Sequence, residues 1–136
     1  MTFEIFNPRE LGEPRGWNNG LLAPNGGRLL FVAGQSGWEA VALGEPPGFV
    51  EQFARALDKV LLVVRDAGGQ AVDIGRITIY VTDLSAYRAS TKPLGEAWRA
   101  RMGNHYPAVA MLEVKGLVDH GAVVEIEATA VLTGSR

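Results

Sequence analysis

The sequence has no cysteine, which excludes a disulfide framework, thiol nucleophiles and cysteine-built zinc sites. Histidine is almost as scarce. The two present, His105 and His120, stand in separate turn-rich segments without a nearby carboxylate pattern, so no metal site is expected. Charge is thin as well. Lys, Arg, Asp and Glu make up 21% of the chain, and 13 basic against 15 acidic side chains leave a formal charge of −2. That balance argues against a nucleic-acid partner, which would call for a basic patch. No apolar run exceeds five residues, so neither a membrane-spanning helix nor a membrane partner is expected. Met1-Thr2-Phe3-Glu4 lacks the charged and apolar regions of a secretory signal, and the expectation is a soluble, cytoplasmic protein.

What is present is apolar: 47% of the 136 residues. The length fits one domain over residues 1–136, which can bury roughly two-thirds of its unfolded surface without a covalent staple. So lean a charge complement implies either a generous core or apolar surface covered by a partner.

The first 28 residues are rich in turn formers, including Asn7-Pro8, Pro14-Arg15-Gly16 and Asn18-Asn19-Gly20. Asn25-Gly26-Gly27, between Leu21-Leu22-Ala23 and Leu29–Ala33, predicts a hairpin, and the unbroken apolar run of its second arm predicts a strand buried on both faces. After Pro46-Pro47, Phe49, Phe53, Leu57, Val60, Leu61 and Val64 recur at helical spacing, with Glu51, Gln52, Arg55, Asp58 and Lys59 opposite. Gly68-Gly69 ends that helix. Ile77–Thr82 alternates as a strand. A second helix is predicted from Ser85 to Met102, kinked by Pro93. Two strands follow, Ala108–Val114 and Val123–Leu132, the latter placing Val124, Ile126, Ala128, Ala130 and Leu132 on one face and Glu125, Glu127, Thr129 and Val131 on the other. This order reads as α+β rather than as a repeat of parallel βαβ units.

Among candidate chemical groups, Glu125 and Glu127 share a strand face with Cβ atoms about 6.5–7 Å apart. Such a pair suits acid–base work, one carboxyl holding a proton while the other activates water; a solvent-facing strand side gives the same pattern. No serine sits in a nucleophile elbow, and no glycine cluster opens a helix as a phosphate loop does. Trp17, Trp38, Tyr87 and Tyr106 could build an aromatic wall, or serve only in packing.

Several segments resemble the RidA family, also called YjgF/UK114-like: Leu30-Phe31-Val32-Ala33-Gly34-Gln35, Thr78-Ile79-Tyr80-Val81-Thr82-Asp83 and, most specifically, Val124-Glu125-Ile126-Glu127-Ala128-Thr129-Ala130-Val131. They occur in the family's order and the resemblance spans nearly the whole chain. It implies a chorismate-mutase-like α+β fold, a mixed sheet with two helices packed on one face, assembled as a homotrimer. It also implies a small-molecule cleft at each subunit interface, no cofactor, and hydrolysis of reactive imines and enamines to a 2-oxo acid and ammonia.

By the same resemblance Glu125 falls at the family's water-orienting glutamate. Trp17 takes the place of a cleft tyrosine, Gly34 and Gln35 belong to the loop whose backbone lines the site, and Thr91 stands where an asparagine is common. Two residues after Pro107 the archetype has an arginine, a planar fork for a substrate carboxylate; here Val109 stands there, followed by Ala110, whose backbone would help hold the substrate. Arg101 and His105 are nearby groups that could replace the arginine. Glu125 points to catalysis. The absent arginine points to a non-catalytic trimer that binds a small molecule. Some family members are described as RNA-cleaving, against which the acidic balance of this chain speaks.

Overall fold

The computed structural model describes residues 3–39 and 44–134; Met1 and Thr2, and part of the irregular stretch ahead of Pro46, lie outside them. A four-stranded sheet is built from β3 (Arg28–Ser36), β4 (Ile74–Val81), β5 (Ala108–Glu113) and β6 (Val124–Leu132), in the order β3-β6-β4-β5. β6 runs antiparallel to both β3 and β4, whereas β4 and β5 are parallel. The sheet is therefore mixed, as expected. One parallel crossover does occur, β4 to β5, because two helices carry the chain back between them.

Those helices are α2 (Leu84–Arg88) and α3 (Thr91–Met102), where a single kinked helix was expected. The break falls before Pro93, not at it. In the first turn of α3 an amide hydrogen would lack an intrahelical acceptor anyway, so proline fits there at little cost. Asp83 caps α2 by accepting from the Ser85 amide at 2.9 Å, and its carboxyl is held below the usual range chiefly by the Ser85 hydroxyl.

α1 (Phe49–Asp66) covers the sheet beside α3. Its apolar stripe is the core: Leu57, Val60, Leu61 and Val64 are fully buried against Ile77, Val124 and Ile126, each such side chain contributing about 1.5–3 kcal/mol. Gly68, at φ +92°, closes the helix in a Schellman motif, with the Gly68 amide donating to Arg65 O and the Gly69 amide to Val64 O, both at 2.9 Å. Gln52, expected on the solvent side, is buried instead. Its amide nitrogen donates to Pro47 O and Gly121 O at 3.0 Å, and its oxygen accepts from the Val123 amide at 2.8 Å, satisfying three loop groups that would otherwise be orphaned.

Two strand expectations are corrected. The predicted hairpin does not form: β2 (Gly20–Leu22) pairs with β1 (Glu4–Phe6) in a separate ribbon, not with β3. Asn25-Gly26 does make a turn, but one that moves the chain between sheets. Nor is β3 buried on both faces. It is an edge strand, with Leu29 62% and Phe31 75% exposed, since no helix covers that side of the sheet.

Candidate functional site

The sheet register sorts the predicted site residues onto two faces. Val109 pairs with Ile77 and Met111 with Ile79, and these side chains point toward the helices. Glu125 pairs with Tyr80, Glu127 with Thr78, and Ala110 likewise with Thr78, so this set lies on the helix-free face.

On the helix side, a cleft of about 490 Å³ opens between the helices and β5. Of the expected residues it brings together Trp17, Thr91 and Val109, with Tyr87 and Tyr106 from the predicted aromatic wall. Trp98 and Tyr106 stand nearly parallel, 10° apart with ring centroids at 6.0 Å. Trp38 is not part of that wall. It is buried elsewhere, with the Arg55 guanidinium 5.6 Å from its ring centroid. Neither suggested replacement for the arginine lines the cleft. Arg101 is held by Asp58 at 2.7 Å and by Ala97 O at 3.1 Å, and His105 Nε2 lies 2.7 Å from Ile74 O. The charged residues that do line it are Arg15 and Arg99; Arg99, with Arg88, Lys92 and Arg101, reads in the sequence as part of a solvated helix face. Thr91, Gly95 and Arg99, spaced by four, were a usable signal, because that spacing makes one strip of a helix face.

On the other face, β3 carries a bulge: Val32 pairs with Ala128 and Gln35 with Ile126, leaving one extra residue at Ala33-Gly34. Glu125 uses the gap at Gly34. A Cβ there would fall 3.0 Å from the Glu125 Cδ and closer still to its Oε2, so only glycine leaves the carboxylate its place. Gln35 is half-buried, and its side chain folds back to donate to Ala33 O at 3.1 Å. The strand beyond the bulge is pinned. Lys59 Nζ donates to Ser36 O at 2.6 Å and pairs with Glu39, whose carboxyl it holds below the ordinary range. The Ser36 hydroxyl donates to Asp119 at 2.9 Å.

The two glutamates are not alike. Tyr80 Oη donates to Glu127 at 2.9 Å, and this bond, followed by burial and the negative charges of Glu127 and Glu125, raises the Tyr80 pKa. The Glu125 carboxylate has no hydrogen-bond or ion-pair partner among the described residues. Trp17 stands at the β5 edge, lining the cleft on one side and a shallower depression with Arg76, Ala108 and Ala110 on the other. Among the described residues no cluster of three or more metal-ligating side chains occurs, and no helix is long and apolar enough to cross a membrane.

Residues 17–132 match the family described as Endoribonuclease L-PSP. A RutC family protein of Haemophilus influenzae is 30% identical over 106 residues, covering 77% of this chain and 80% of that protein. A 2-iminobutanoate/2-iminopropanoate deaminase of Capra hircus is 28% identical over 106 residues, covering 76% and 73%. The crystal structure of YyfB from Yersinia pestis, a Rid family protein of unknown function, aligns with a TM-score of 0.81 at 27% identity, over 97% of this chain and 100% of that one. The chain belongs to the Endoribonuclease L-PSP family, which is the RidA or YjgF/UK114 family that its sequence resembles.

Proposed function

We propose that the protein is a cofactor-independent hydrolase of small reactive imines and enamines, working at a cleft completed by a second copy of the chain in a homotrimer. The observation that carries this reading is Glu125: a carboxylate without a partner among the described residues, seated in the space left by Gly34 beside a strand bulge. An enamine protonated on carbon becomes an iminium ion. Glu125 then orients a water against the iminium carbon and accepts its proton as the C–O bond forms, giving a carbinolamine. Glu125 returns that proton to the nitrogen, the C–N bond breaks with ammonia leaving, and the ammonia takes the hydroxyl proton as the carbonyl forms. The deaminase name of the Capra hircus relative supports this chemistry.

Within one chain Glu125 and the cleft lie on opposite faces of the sheet. A shared site resolves this, one copy presenting Glu125 to the cleft of its neighbour at the open β5 edge. Trp17, Thr91 and Val109 then line the substrate side, with the Gly34-Gln35 loop and the Ala110 backbone at the seam.

The test is 2-oxo acid release from 2-imino acids generated in situ, over side chains of increasing size. Acceleration above the spontaneous rate, lost in Glu125→Gln, is expected. It should be weak for 2-iminopropanoate and 2-iminobutanoate, because Val109 leaves β5 without a fork for the carboxylate of so small a substrate. The absence of a charged side chain at position 109 also favours a second reading, a trimer that binds a metabolite without turning it over. Ligand-induced thermal shifts with no acceleration for any imine would establish that reading and overturn the first.

A further inference from the structure

We propose that the cleft selects a monocarboxylate carrying an aromatic or similarly bulky apolar body, with Arg99 as the residue that holds the carboxylate. The inference rests on the cleft being the substrate side of the site proposed above, and it concerns which molecule enters.

The lining decides the class. Trp17, Trp98, Tyr87, Tyr106, Val109 and Met111 give a cavity of about 490 Å³ a predominantly apolar wall, within the range of about 300–1,000 Å³ usual for small-molecule sites. Both indole N–H groups are already used, Trp17 donating to Asn19 at 3.1 Å and Trp98 to His105 O at 3.2 Å. The two rings therefore offer faces rather than donors, and aromatic faces favour an offset or edge-on ring.

The charge is of one sign. Arg15 and Arg99 line the cleft and no carboxylate does, although the chain as a whole carries −2. Ion pairs among the described residues join Arg55 to Glu51, Lys59 to Glu39 and Arg101 to Asp58; Arg15 and Arg99 take part in none of them. Two guanidiniums over an apolar pocket fit an anion with an apolar body.

Arg99 rather than Arg15 is the anchor because the helix prepares it. Side chains on a helix lean toward its N-terminus, over the preceding turn, and the residue one turn back is Gly95. A Cβ at Gly95 would fall 3.1 Å from Arg99 Nη1 and 3.7 Å from Nη2. A glycine inside α3 sacrifices helix propensity, and here it lets the guanidinium lie against the helix backbone, over the cleft. The arrangement gives the site a fork on α3 in place of one on β5, directed at a ligand that also reaches the aromatic wall.

Calorimetric titration of the full-length protein with three probes tests this: 3-phenylpropanoate, its neutral amide 3-phenylpropanamide, and propanoate. The acid is expected to bind about tenfold or more tighter than the amide, the margin of a charge-assisted pair over a neutral one, and propanoate more weakly than either phenyl compound. Arg99→Met should abolish the acid–amide difference and leave amide affinity unchanged. Gly95→Ala should shrink that difference while thermal unfolding stays the same or moves upward. Equal affinities for acid and amide, propanoate binding as tightly as the phenyl acid, or an undiminished difference in Arg99→Met would each overturn the proposal. Glu125→Gln is titrated alongside and should keep an acid–amide difference at least as large as the parent's, since it removes a negative charge from the shared site, and this separates the two readings. An intact acid preference without imine hydrolysis refutes only the catalytic reading; hydrolysis without the acid preference refutes only this one.

Discussion

Tyr80 donates a 2.9 Å hydrogen bond to Glu127, and that one bond separates two carboxylates that the strand pattern leaves equivalent. Glu127 is tied down, while the Glu125 carboxylate, two residues before it, has no hydrogen-bond or ion-pair partner among the described residues. Glu125→Gln is expected to lower kcat for imine hydrolysis by about 100-fold or more, the usual cost of losing a positioned proton acceptor. Glu127→Gln should change it only a few-fold. Steady-state measurement of 2-oxo acid release checks this, and equal losses in the two variants would show that the carboxylates work as a pair.

The same bond makes a pH prediction. Its hydrogen is worth more to Glu127 than to water, so the Tyr80 pKa is raised from its ordinary value of about 10. A group with a raised folded-state pKa contributes stability that is complete below its unfolded pKa and is lost as pH rises through the folded one. Alkaline conditions should therefore weaken the fold through Tyr80. The chain has three tyrosines, few enough for phenolate absorbance to resolve. Glu127→Gln should bring the Tyr80 step down. A step unmoved by Glu127→Gln would assign the shift to burial and the charge of Glu125.

Two glycines on β3 and just beyond it predict opposite kinds of damage. At Gly34 an added methyl meets the end of the Glu125 side chain, which can swing away; Gly34→Ala should fold normally and lose activity. At Gly37 it meets the Gln52 backbone, with the carbonyl carbon 2.7 Å away. Backbone inside a packed helix cannot yield so cheaply, so Gly37→Ala should lose about 1–3 kcal/mol of stability, as overpacked sites do. Denaturant unfolding and the imine assay, run on both, distinguish the cases. An unstable Gly34→Ala would mean that the bulge, and not the carboxylate, needs the glycine.

Periodicity made the elements legible where one face of an element meets the core. The stripe of α1 from Phe53 to Val64 and the alternation of β6 are written in the sequence because burial on one side only leaves a period. β3 misled for the same reason. Leu29 to Ala33 is apolar throughout, which reads as burial on both faces, yet Leu29 and Phe31 are exposed on the single chain. The pairing of β2 with β1 was illegible because an Asn-Gly turn fixes a reversal, not a partner strand. At the site, Glu125 could be found from its segment, whereas the spacing of Thr91, Gly95 and Arg99 marks a strip of helix face and not what that strip faces. The role proposed for Arg99 depends on the gap at Gly95 and on the cleft wall opposite, which are relations between elements.

The helix-free face of the sheet leads to the last prediction. Leu29, Phe31 and Leu112 lie on it and are 62%, 75% and 40% exposed, an apolar surface of the kind that marks an interface. Covered by neighbouring copies, it would answer the lean charge of the sequence, since such a face needs few charges. Light scattering of the native protein should give the mass of three chains, and Phe31→Glu should reduce it to one with helix content retained. If the site is shared between copies, imine hydrolysis should disappear with assembly. Complementation tests the sharing directly. A chain with Glu125→Gln keeps its cleft, and a chain with Gly95→Trp blocks its cleft but keeps Glu125, so each alone should be inactive. Co-expressed, they should regain part of the native rate, because mixed assemblies place an intact Glu125 of one chain at the open cleft of another. No recovery, in mixed assemblies verified by mass, would mean that each chain builds its own site and that Glu125 does not act on the cleft of a neighbour.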